Sequence, residues 1–310
     1  MNSIKKMMLS GALGCLISGM AYADGSSPQP VKPYWQDIQV VAVNKEKPRS
    51  SFMSYADRET ALTSRFEKSP YYSLLNGTWK FFFVDSYKDL PQNITDPSVN
   101  TSSWDDITVP GNWEVQGHGV AIYTNHGYEF KPKNPQPPLL PEANPVGVYR
   151  RDIEIPANWD NRDIYLHIGG AKSGLYVYLN GKEVGYSEDS KNPAEFLINK
   201  YLQPGKNVLT LKIFRWSTGS YLECQDFWRM SGIERDVFLW SQPKASIQDF
   251  RVVSTLDDTY TNGIFKLAVD LKNHTQETKN LNVGYELLDA KGNLMASEAN
   301  DIWVSPASPQ

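Results

Sequence analysis

The stretch GLYVYLNGKEVGYS, residues 174–187, decides the fold class of this chain. Two β-prone runs, LYVYL and KEVGYS, flank the dipeptide Asn180-Gly181. Asn-Gly is the strongest short signal for a β-hairpin, because a type I′ turn requires positive φ at both of its central positions. The sequence therefore predicts an antiparallel hairpin in the middle of the chain.

Strand patterns continue on both sides of this hairpin, from residue 76 to residue 244. Large side chains alternate along three further segments, namely Trp79, Phe81 and Phe83, then Tyr149, Arg151, Ile153 and Ile155, then Ile164, Leu166 and Ile168. Such alternation is typical of β-strands. A helix is predicted only within residues 55–72, inside an N-terminal extended segment that covers 24–75. The proline-rich run from 130 to 145 predicts an extended surface loop.

The alternating pattern restarts after Ala245. Phe265, Leu267, Val269 and Leu271 alternate with polar residues, and a second series runs from Leu281 to Leu287. Alternation of this kind indicates antiparallel strands with one face in water. An immunoglobulin-like sandwich needs roughly 100 residues and seven strands, so residues 245–310 predict an incomplete sandwich. We interpret the chain as a fragment or a truncated product, in which 24–244 folds alone and 245–310 is frayed.

The composition restricts the class of protein. The 310 residues are 40% hydrophobic and 21% charged, which suffices for a folded core and excludes a disordered chain. The net charge of −4 offers no basic field for nucleic acid or an anionic membrane. Aromatic residues make up 12% of the chain; they favour strands, and rings of this kind also stack on sugars. Most of Trp79, Trp113, Trp228 and Trp240 are expected to be packed in the core.

The first 23 residues have the pattern of a bacterial signal peptide. Lys5 and Lys6 precede an uncharged, mostly apolar stretch, and Ala21-Tyr22-Ala23 is a small-x-small cleavage site. The apolar stretch is shorter than the ~20 residues that span a bilayer, so no membrane span is expected. Lipidation at Cys15 is a second interpretation, which ranks lower. The sequence thus predicts an exported protein, periplasmic or secreted.

Structural metal sites and disulfides are not expected in the mature chain. After cleavage the single cysteine is Cys224, which cannot form an internal disulfide. The four histidines, His118, His126, His167 and His274, lack the spacing of a zinc site.

Five motifs follow one another in the order seen in one enzyme family. They are SPYYSLLNGTWKF, VPGNWEVQGHGVAIYTN, NPVGVYRRDIEIP, GLYVYLNGKEVGYSEDSKNPAEF and RWSTGSYLECQDFWRMSGIERDVFLW. Together they resemble β-galactosidases of glycoside hydrolase family two, from about Ala42 to Phe250 and more loosely through the last sixty residues. The resemblance implies an all-β chain, in which a jelly-roll (galactose-binding-like) sugar-binding domain over 76–244 precedes the partial immunoglobulin-like sandwich. The catalytic TIM barrel of the family is absent from this chain.

The resemblance implies the N-terminal portion of an enzyme that hydrolyses terminal non-reducing β-D-galactose residues in β-galactosides. A retaining glycosidase needs two carboxylates about 5–5.5 Å apart, and in the family both are glutamates of the barrel. We therefore expect no catalytic residue in this chain, and inactivity of the chain alone. The local pair Glu188 and Asp189 does not converge, because neighbours on a strand point to opposite faces. Glu223 and Asp226 form the other local pair.

Two functions of different classes remain open on the sequence. The chain is either a portion of a β-galactosidase or a non-catalytic carbohydrate-binding module, the latter including a truncated gene remnant. β-Glucuronidases and β-mannosidases share the architecture, but the YTN and QDFWRMSG motifs favour the galactosidase branch. The expected partners are a β-galactoside or galactose and, at full length, further copies in a homo-oligomer.

The resemblance assigns two substrate-binding residues, Asn125 and Asp226. Asp226 matches an aspartate that contacts galactose and coordinates a sodium ion, and a carboxylate suits such an ion; magnesium or calcium is a further cofactor of the full-length enzyme. Asn125 offers both a donor and an acceptor to sugar hydroxyls. The alternatives are a structural salt bridge of Asp226 with Arg229 or Arg235, and an Asx turn at Asn125. His126 and Cys224 depart from the family pattern, and their roles are open.

Overall fold

The computed structural model describes residues 32–130 and 134–307, so the predicted signal peptide over 1–23 lies outside the described residues. Within those residues, none of the helices has the length and apolarity that crossing a lipid bilayer requires. The α-helix α1 spans Arg58–Leu62, inside the stretch for which the sequence predicts a helix. It begins at Asp57, whose carboxylate accepts a hydrogen bond from the Thr60 amide at 2.8 Å, as expected of an N-cap.

Strands are the predominant regular element of the described chain. Short 3₁₀ turns lie at Tyr34–Gln36, Phe66–Lys68, Tyr87–Asp89, Glu114–Gln116, Ala157–Trp159, Asn199–Tyr201 and Thr218–Tyr221. The strands are β1 (Ala42–Val43), β2 (Tyr72–Leu74), β3 (Gly77–Val84), β4 (Asp105–Val109), β5 (Gly111–Asn112), β6 (Ile122–Thr124), β7 (Val146–Glu154), β8 (Arg162–Ile168), β9 (Ala171–Lys172), β10 (Gly174–Leu179), β11 (Lys182–Ser187), β12 (Ala194–Leu197), β13 (Lys206–Phe214), β14 (Phe227–Arg229), β15 (Gly232–Ile233), β16 (Val237–Pro243), β17 (Ala245–Leu256), β18 (Gly263–Asn273), β19 (Lys279–Leu288) and β20 (Leu294–Val304).

Two antiparallel sheets form the sandwich that the fold prediction describes. The seven-stranded sheet has the order β1-β11-β10-β13-β7-β3-β4, and the four-stranded sheet has the order β12-β8-β16-β2. Strands that are distant in the chain lie side by side, as a jelly roll requires. Every pairing among the described strands is antiparallel, so this part of the chain contains no element of a parallel βα barrel.

The predicted hairpin over 174–187 is confirmed. β10 and β11 pair around Asn180 and Gly181, whose φ values of 52° and 77° are those of a type I′ turn. All six residues of β10 are buried, because the strand packs on both of its faces. Val177 contributes to the core between the sheets, whereas Tyr176 packs in a second cluster with Trp35 of the N-terminal segment.

The core between the sheets is apolar and rich in aromatic residues. Trp79 of β3 and Trp113 lie in it, 1% and 0% exposed, together with residues of both sheets such as Leu166 and Val177. A third cluster, on the four-stranded sheet, combines Met53 with Tyr165, Phe238 and Trp240. The N-terminal segment therefore covers a sheet face and adds β1 and β2 to the two sheets.

The chain after residue 244 forms two hairpins, β17–β18 and β19–β20, each a two-stranded sheet. Apolar side chains of the two hairpins meet, with the rings of Phe265 and Tyr285 centred 5.4 Å apart. The fold class is thus confirmed as a jelly-roll sandwich followed by an incomplete immunoglobulin-like sandwich.

Candidate functional site

Two short strands, β6 and β14, bring together the motifs IYTN and QDFWRM. They pair in an antiparallel ladder in which Thr124 faces Phe227, Tyr123 faces Trp228 and Ile122 faces Arg229. We call this pair the site ribbon (residues 122–124 and 227–229). Its two strands are about a hundred residues apart in the chain, so only the tertiary fold joins them.

The ladder carries both predicted substrate-binding residues to the same end of the site ribbon. Asn125 directly follows Thr124, and Asp226 directly precedes Phe227, the partner of Thr124. Continuing the register by one residue therefore places Asn125 opposite Asp226. Both residues are exposed to solvent. An amide and a carboxylate at one ribbon end can bind adjacent hydroxyl groups of a sugar, because together they supply donors and acceptors.

Tyr123 fixes one oxygen of the Asp226 carboxylate. Its phenol donates a 2.7 Å hydrogen bond to Oδ1 of Asp226. This bond to an anion raises the pKa of the Tyr123 phenol above its ordinary value. The ring of Trp228 lies 5.7 Å from that of Tyr123. Sequence reasoning missed Tyr123, since a tyrosine in a strand reads as an ordinary β-former.

Trp228 differs from the other tryptophans that the sequence assigns to the core. Trp79, Trp113 and Trp240 are at most 1% exposed, whereas Trp228 is 54% exposed. Tyr123 is 56% exposed beside it. Exposed aromatic side chains that flank a carboxylate and an amide are a common composition for sugar-binding surfaces, because a ring covers the apolar face of a pyranose.

The alternative interpretation of Asp226, a salt bridge with a neighbouring arginine, is not what the structure shows. Arg229 is buried and donates from Nη1 to the carbonyl oxygen of Glu223 at 2.7 Å. Arg235 donates to the carbonyl oxygens of Gly169 and Lys191. Within residues 32–130 and 134–307, neither arginine forms an ion pair with Asp226. Among these residues the second oxygen of the Asp226 carboxylate therefore has neither a hydrogen bond nor an ion pair.

Asn125 contacts the side chain of the residue that follows it, His126. Its Oδ1 lies 2.8 Å from Nδ1 of His126, and the Thr124 hydroxyl donates to the His126 carbonyl at 2.6 Å. The side-chain oxygen of Asn125 thus contacts an imidazole, rather than the backbone amide that an Asx turn would use.

The glutamates of the two local carboxylate pairs, Glu188 and Glu223, both accept hydrogen bonds within the domain. Glu188 is buried and accepts hydrogen bonds from Tyr186, Thr218 and Gly219, whereas Asp189 is exposed. Glu223 accepts two hydrogen bonds from Ser190. Burial raises the pKa of both Glu188 and Glu223, and their partners stabilise them as structural groups.

Cys224 contacts the backbone next to the site ribbon. Its thiol lies 3.1 Å from the carbonyl oxygen of Ser220. Burial raises the pKa of the Cys224 thiol, so it carries little thiolate at neutral pH. Its contact is structural.

The site can supply only part of the ligand set of a metal ion. No group of three or more acidic, histidine or cysteine side chains suited to a metal occurs among the described residues. Asp226 offers one carboxylate oxygen that accepts no hydrogen bond within that part of the chain. An alkali or alkaline-earth ion prefers such oxygen ligands. Asp226 therefore fits an ion that takes its remaining ligands from a sugar or from other groups.

Comparison with known proteins decides the family. Residues 72–243 match the model of the sugar-binding domain of glycosyl hydrolases family 2, which is more than half of the chain. This chain belongs to glycosyl hydrolase family 2. The site ribbon, at 122–124 and 227–229, lies inside the matched domain.

Curated members of family 2 resemble the chain over most of its length. A β-galactosidase of Priestia megaterium is 39% identical over 262 residues, which cover 83% of this chain and 25% of the relative. A β-galactosidase of Psychromonas ingrahamii is 36% identical over 257 residues, which cover 83% of this chain and 24% of the relative. The chain thus spans about a quarter of the length of the curated relatives that it matches.

Solved structures of the family share the fold. A β-glucuronidase of Bacteroides uniformis superposes with a TM-score of 0.61 at 19% identity, covering 76% of this chain and 26% of that one. A β-glycosidase of Bacteroides vulgatus gives a TM-score of 0.55 at 19% identity, covering 74% and 28% of the two chains. At this level of identity the likeness establishes the fold of the family 2 domain and not its substrate.

Proposed function

We propose that this chain is the N-terminal portion of an exported β-galactosidase that hydrolyses terminal non-reducing β-D-galactose residues in β-galactosides. The catalytic glutamates would lie in a barrel domain outside this chain, and the chain alone would be inactive. The names of the relatives support this proposal, since the β-galactosidases above share 39% and 36% of the aligned residues. The carboxylates of Glu188 and Glu223 support it too, because both already accept hydrogen bonds from neighbouring residues of the domain.

One observation carries the proposal, namely the register of the site ribbon. It brings Asn125 and Asp226 to one exposed end, although their motifs are far apart in the sequence. In the proposed enzyme this end forms one wall of the galactose site. The Asn125 amide and the Asp226 carboxylate then bind galactose hydroxyls, and the catalytic domain supplies the opposite wall.

A sodium ion is the proposed cofactor at Asp226, with magnesium or calcium as a further ion of the full-length enzyme. Within this chain the free oxygen of the Asp226 carboxylate would hold the sodium ion. When bound, the cation neutralises that carboxylate and gives a sugar hydroxyl a positively charged partner. The hydrogen bond from Tyr123 keeps the other oxygen engaged, so that the carboxylate presents one oxygen outward.

Export and self-association belong to the same proposal. The support for export is the sequence of residues 1–23, with Lys5, Lys6 and the Ala21-Tyr22-Ala23 site. A homo-oligomer is proposed for the full-length enzyme only, from the family resemblance.

The test begins with the gene beyond the codon of Gln310. A continuing reading frame should encode a barrel, and its product should cleave a nitrophenyl β-galactoside. In that product Asp226→Asn should lower kcat/KM at least 100-fold, since it removes the charge from the sugar and cation contact. Asp189→Asn is the matched control, because Asp189 is also exposed but contacts Asn192; it should change kcat/KM less than twofold. Activity on glucuronides alone would overturn the choice of substrate.

A second measurement separates the enzyme from a carbohydrate-binding module. The isolated 310-residue chain should not bind galactose below millimolar concentration, because one wall of the site is missing. An NMR titration that finds submillimolar binding, lost in Asp226→Ala, would favour the module.

A further inference from the structure

The site ribbon cannot be stable through its own ladder alone. Each strand has three residues, and among the described residues neither β6 nor β14 pairs with a third strand. An isolated two-stranded ribbon is at best marginally stable in water. Its aromatic side chains Tyr123 and Trp228 are more than half exposed and add little packing. Another part of the chain must therefore position Asn125 and Asp226.

Arg215 contacts the segment that leads into β6 and the last residue of β14, at the end of the site ribbon opposite Asn125 and Asp226. Its Nη2 donates to the carbonyl oxygen of Val120 at 2.9 Å and to that of Arg229 at 3.2 Å. Val120 lies two residues before β6, and Arg229 is the last residue of β14. A single guanidinium nitrogen thus joins the entry of one strand to the exit of the other.

Two buried carboxylates lie at ion-pair distance from the guanidinium of Arg215, beyond the length of a hydrogen bond. Its Nη1 lies 3.6 Å from Oε1 of Glu114, and its Nε lies 3.6 Å from Oε2 of Glu129. Lys172 donates to the other oxygen of Glu129 at 3.0 Å. All four side chains are at most 5% exposed. Such groups are costly to bury unless they are paired, and here two cations match two carboxylates.

The same cluster contacts the chain segments that flank the ribbon. Glu129 lies four residues after Asn125, and Glu114 accepts the backbone amide of Ser231 with both oxygens, at 3.0 and 2.9 Å. Lys172 belongs to β9, and Arg215 directly follows β13. The cluster therefore ties both arms of the ribbon to the strands of the sandwich.

We propose that Arg215 is the positioning residue of the sugar site. It acts through the backbone, and it sets the separation and direction of the ribbon strands that present Asn125 and Asp226. Glu114, Glu129 and Lys172 hold Arg215 in place. That the positioned residues bind a sugar rests on the proposed function. That Arg215 holds the two ribbon strands together does not depend on the proposed function.

The first arm of the test uses the 310-residue chain and hydrogen–deuterium exchange. Arg215→Lys keeps the charge between the carboxylates but lacks the Nη2 group that donates to the carbonyl oxygens of Val120 and Arg229. Exchange of peptides covering residues 118–130 and 222–231 should become about tenfold faster, because the ladder opens locally. Exchange over β7 and β13 should not change.

A matched control is Arg150→Lys. Arg150 is also buried and donates from its guanidinium to the carbonyl oxygens of Ile94, Asp96 and Val99. This variant should loosen residues 94–99 and leave the site ribbon protected. Unchanged protection of the ribbon in Arg215→Lys, or equal loosening in Arg150→Lys, would overturn the inference.

The double variant Lys172→Met/Glu129→Gln is included in case Arg215→Lys does not fold. It removes the buried ion pair without leaving one charge unpaired, while Arg215 keeps its own donors. Exchange in the same two segments should then rise about threefold. Protection equal to that of the unmodified chain would count against the role of the cluster.

The second arm uses the longer glycosidase and a double-mutant cycle. Arg215→Lys should lower kcat/KM for the galactoside about tenfold in the otherwise unmodified enzyme, but less than twofold in an Asp226→Ala background. An equal loss in both backgrounds would overturn the positioning role, since Arg215 would then act elsewhere. If Asp226→Ala alone has no effect, the proposed function fails, whereas the exchange result still decides the mechanical role.

Discussion

At the scale of single residues, the proposed site depends on how the Asp226 carboxylate is oriented. Asp226 is exposed, and an exposed side chain samples several rotamers. The 2.7 Å hydrogen bond from the Tyr123 hydroxyl to Oδ1 of Asp226 restricts these rotamers. In the proposed site, a sugar or a cation would meet a carboxylate that is already oriented, and less conformational entropy would be lost on binding.

Tyr123→Phe tests this orientation. The variant removes only the hydroxyl, and we expect kcat/KM of the full-length enzyme to fall about 3- to 10-fold, which corresponds to a typical net hydrogen-bond contribution of about 0.5–1.5 kcal/mol. The free energy of unfolding should change by less than about 0.5 kcal/mol, because Tyr123 is exposed. Steady-state kinetics and urea denaturation measure the two quantities.

Tyr260→Phe is the control for that substitution. Tyr260 is 81% exposed and lies in a turn of the β17–β18 hairpin. It should change neither the kinetics nor the stability. A similar loss of kcat/KM in both variants would contradict the orienting role of Tyr123.

The sequence could nominate Asn125 and Asp226 as substrate-binding residues only because their motifs resemble those of a family. It could not identify Arg215, Glu129 or Lys172, since charged residues are almost never buried unless they are paired. Their pairing depends on contacts between segments 43 or more residues apart in the chain. No local sequence pattern indicates such contacts, and the cluster of Arg215, Glu129 and Lys172 could therefore be recognised only in the structure.

At the scale of elements, the hairpin of β10 and β11 depends on its turn. Gly181 has a φ of +77°, and a Cβ added there would lie 2.9 Å from Cδ of Pro97. Gly181→Ala should therefore combine backbone strain with a steric clash and lower the free energy of unfolding by about 2–4 kcal/mol. Urea denaturation monitored by circular dichroism gives this value.

Gly205→Ala separates the two causes. Gly205 has nearly the same φ, +76°, but an added Cβ would meet no atom within 4 Å. Only the backbone strain of about 1–2 kcal/mol should remain. Equal destabilisation by both substitutions would show that the contact with Pro97 is unimportant.

Element-level prediction succeeded where a pattern was long. β10, β11 and β18 each have six or more residues, so that alternation or a turn motif could be recognised. β5 and β9 have two residues each, too few for any periodicity. These strands exist because they pair with β15, which makes them a consequence of tertiary structure.

At the scale of the whole molecule, the N-terminal segment is joined to the sandwich by a buried ion pair. Arg49 donates to both oxygens of Glu195, at 2.9 and 2.8 Å, and Glu195 also contacts His167 and Trp240. Burial alone would raise the pKa of Glu195, but the hydrogen bonds from His167 and Arg49 outweigh burial. The pKa of Glu195 therefore lies below its ordinary value.

This lowered pKa predicts the direction of a pH effect. The ionised carboxylate is favoured in the folded state, so its contribution to stability is complete above the ordinary glutamate pKa of about 4.3 and is lost as the pH falls below that value. Arg49→Met should cost about 3–5 kcal/mol at pH 7. The difference between the variant and the unmodified chain should shrink between pH 5 and pH 3 in urea denaturation.

Lys206→Met provides the comparison. Lys206 pairs with Asp152 at 2.7 Å, but the two side chains are 61% and 54% exposed. Such surface pairs contribute about 0–1 kcal/mol, so the variant should show almost no pH-dependent difference. A constant difference for Arg49→Met across the same pH range would rule out Glu195 as the cause.

The C-terminal hairpins should open before the sandwich does. They form two-stranded sheets, and every residue of β17 and β20 is exposed or half-buried. Local stability is low where few apolar groups are buried. Limited trypsin digestion should therefore cut first in the β19–β20 turn, at Lys291, and leave a core that contains residues 76–244, as intact-mass measurement would show. A first cut inside 76–244 would contradict this expectation.

The order of the strands within the sheets is the part of the architecture that the sequence could not specify. β16 pairs with β8 and with β2, which precede it by long stretches of chain. Alternation shows which face of a strand is buried, but several strand orders bury the same faces equally well. The family resemblance, and not the hydropathy pattern, made the jelly roll predictable.

The separation of the two ribbon strands also has a consequence for biosynthesis. Tyr123 and Asp226 are 103 residues apart in the chain. At a translation rate of about 5–20 residues per second, the second strand leaves the ribosome roughly 5–20 s after the first. During that interval the nascent chain exposes Tyr123 and its neighbours without a partner strand. The site ribbon is therefore a late product of synthesis, and a ribosome that stalls before residue 229 leaves one of its two strands incomplete.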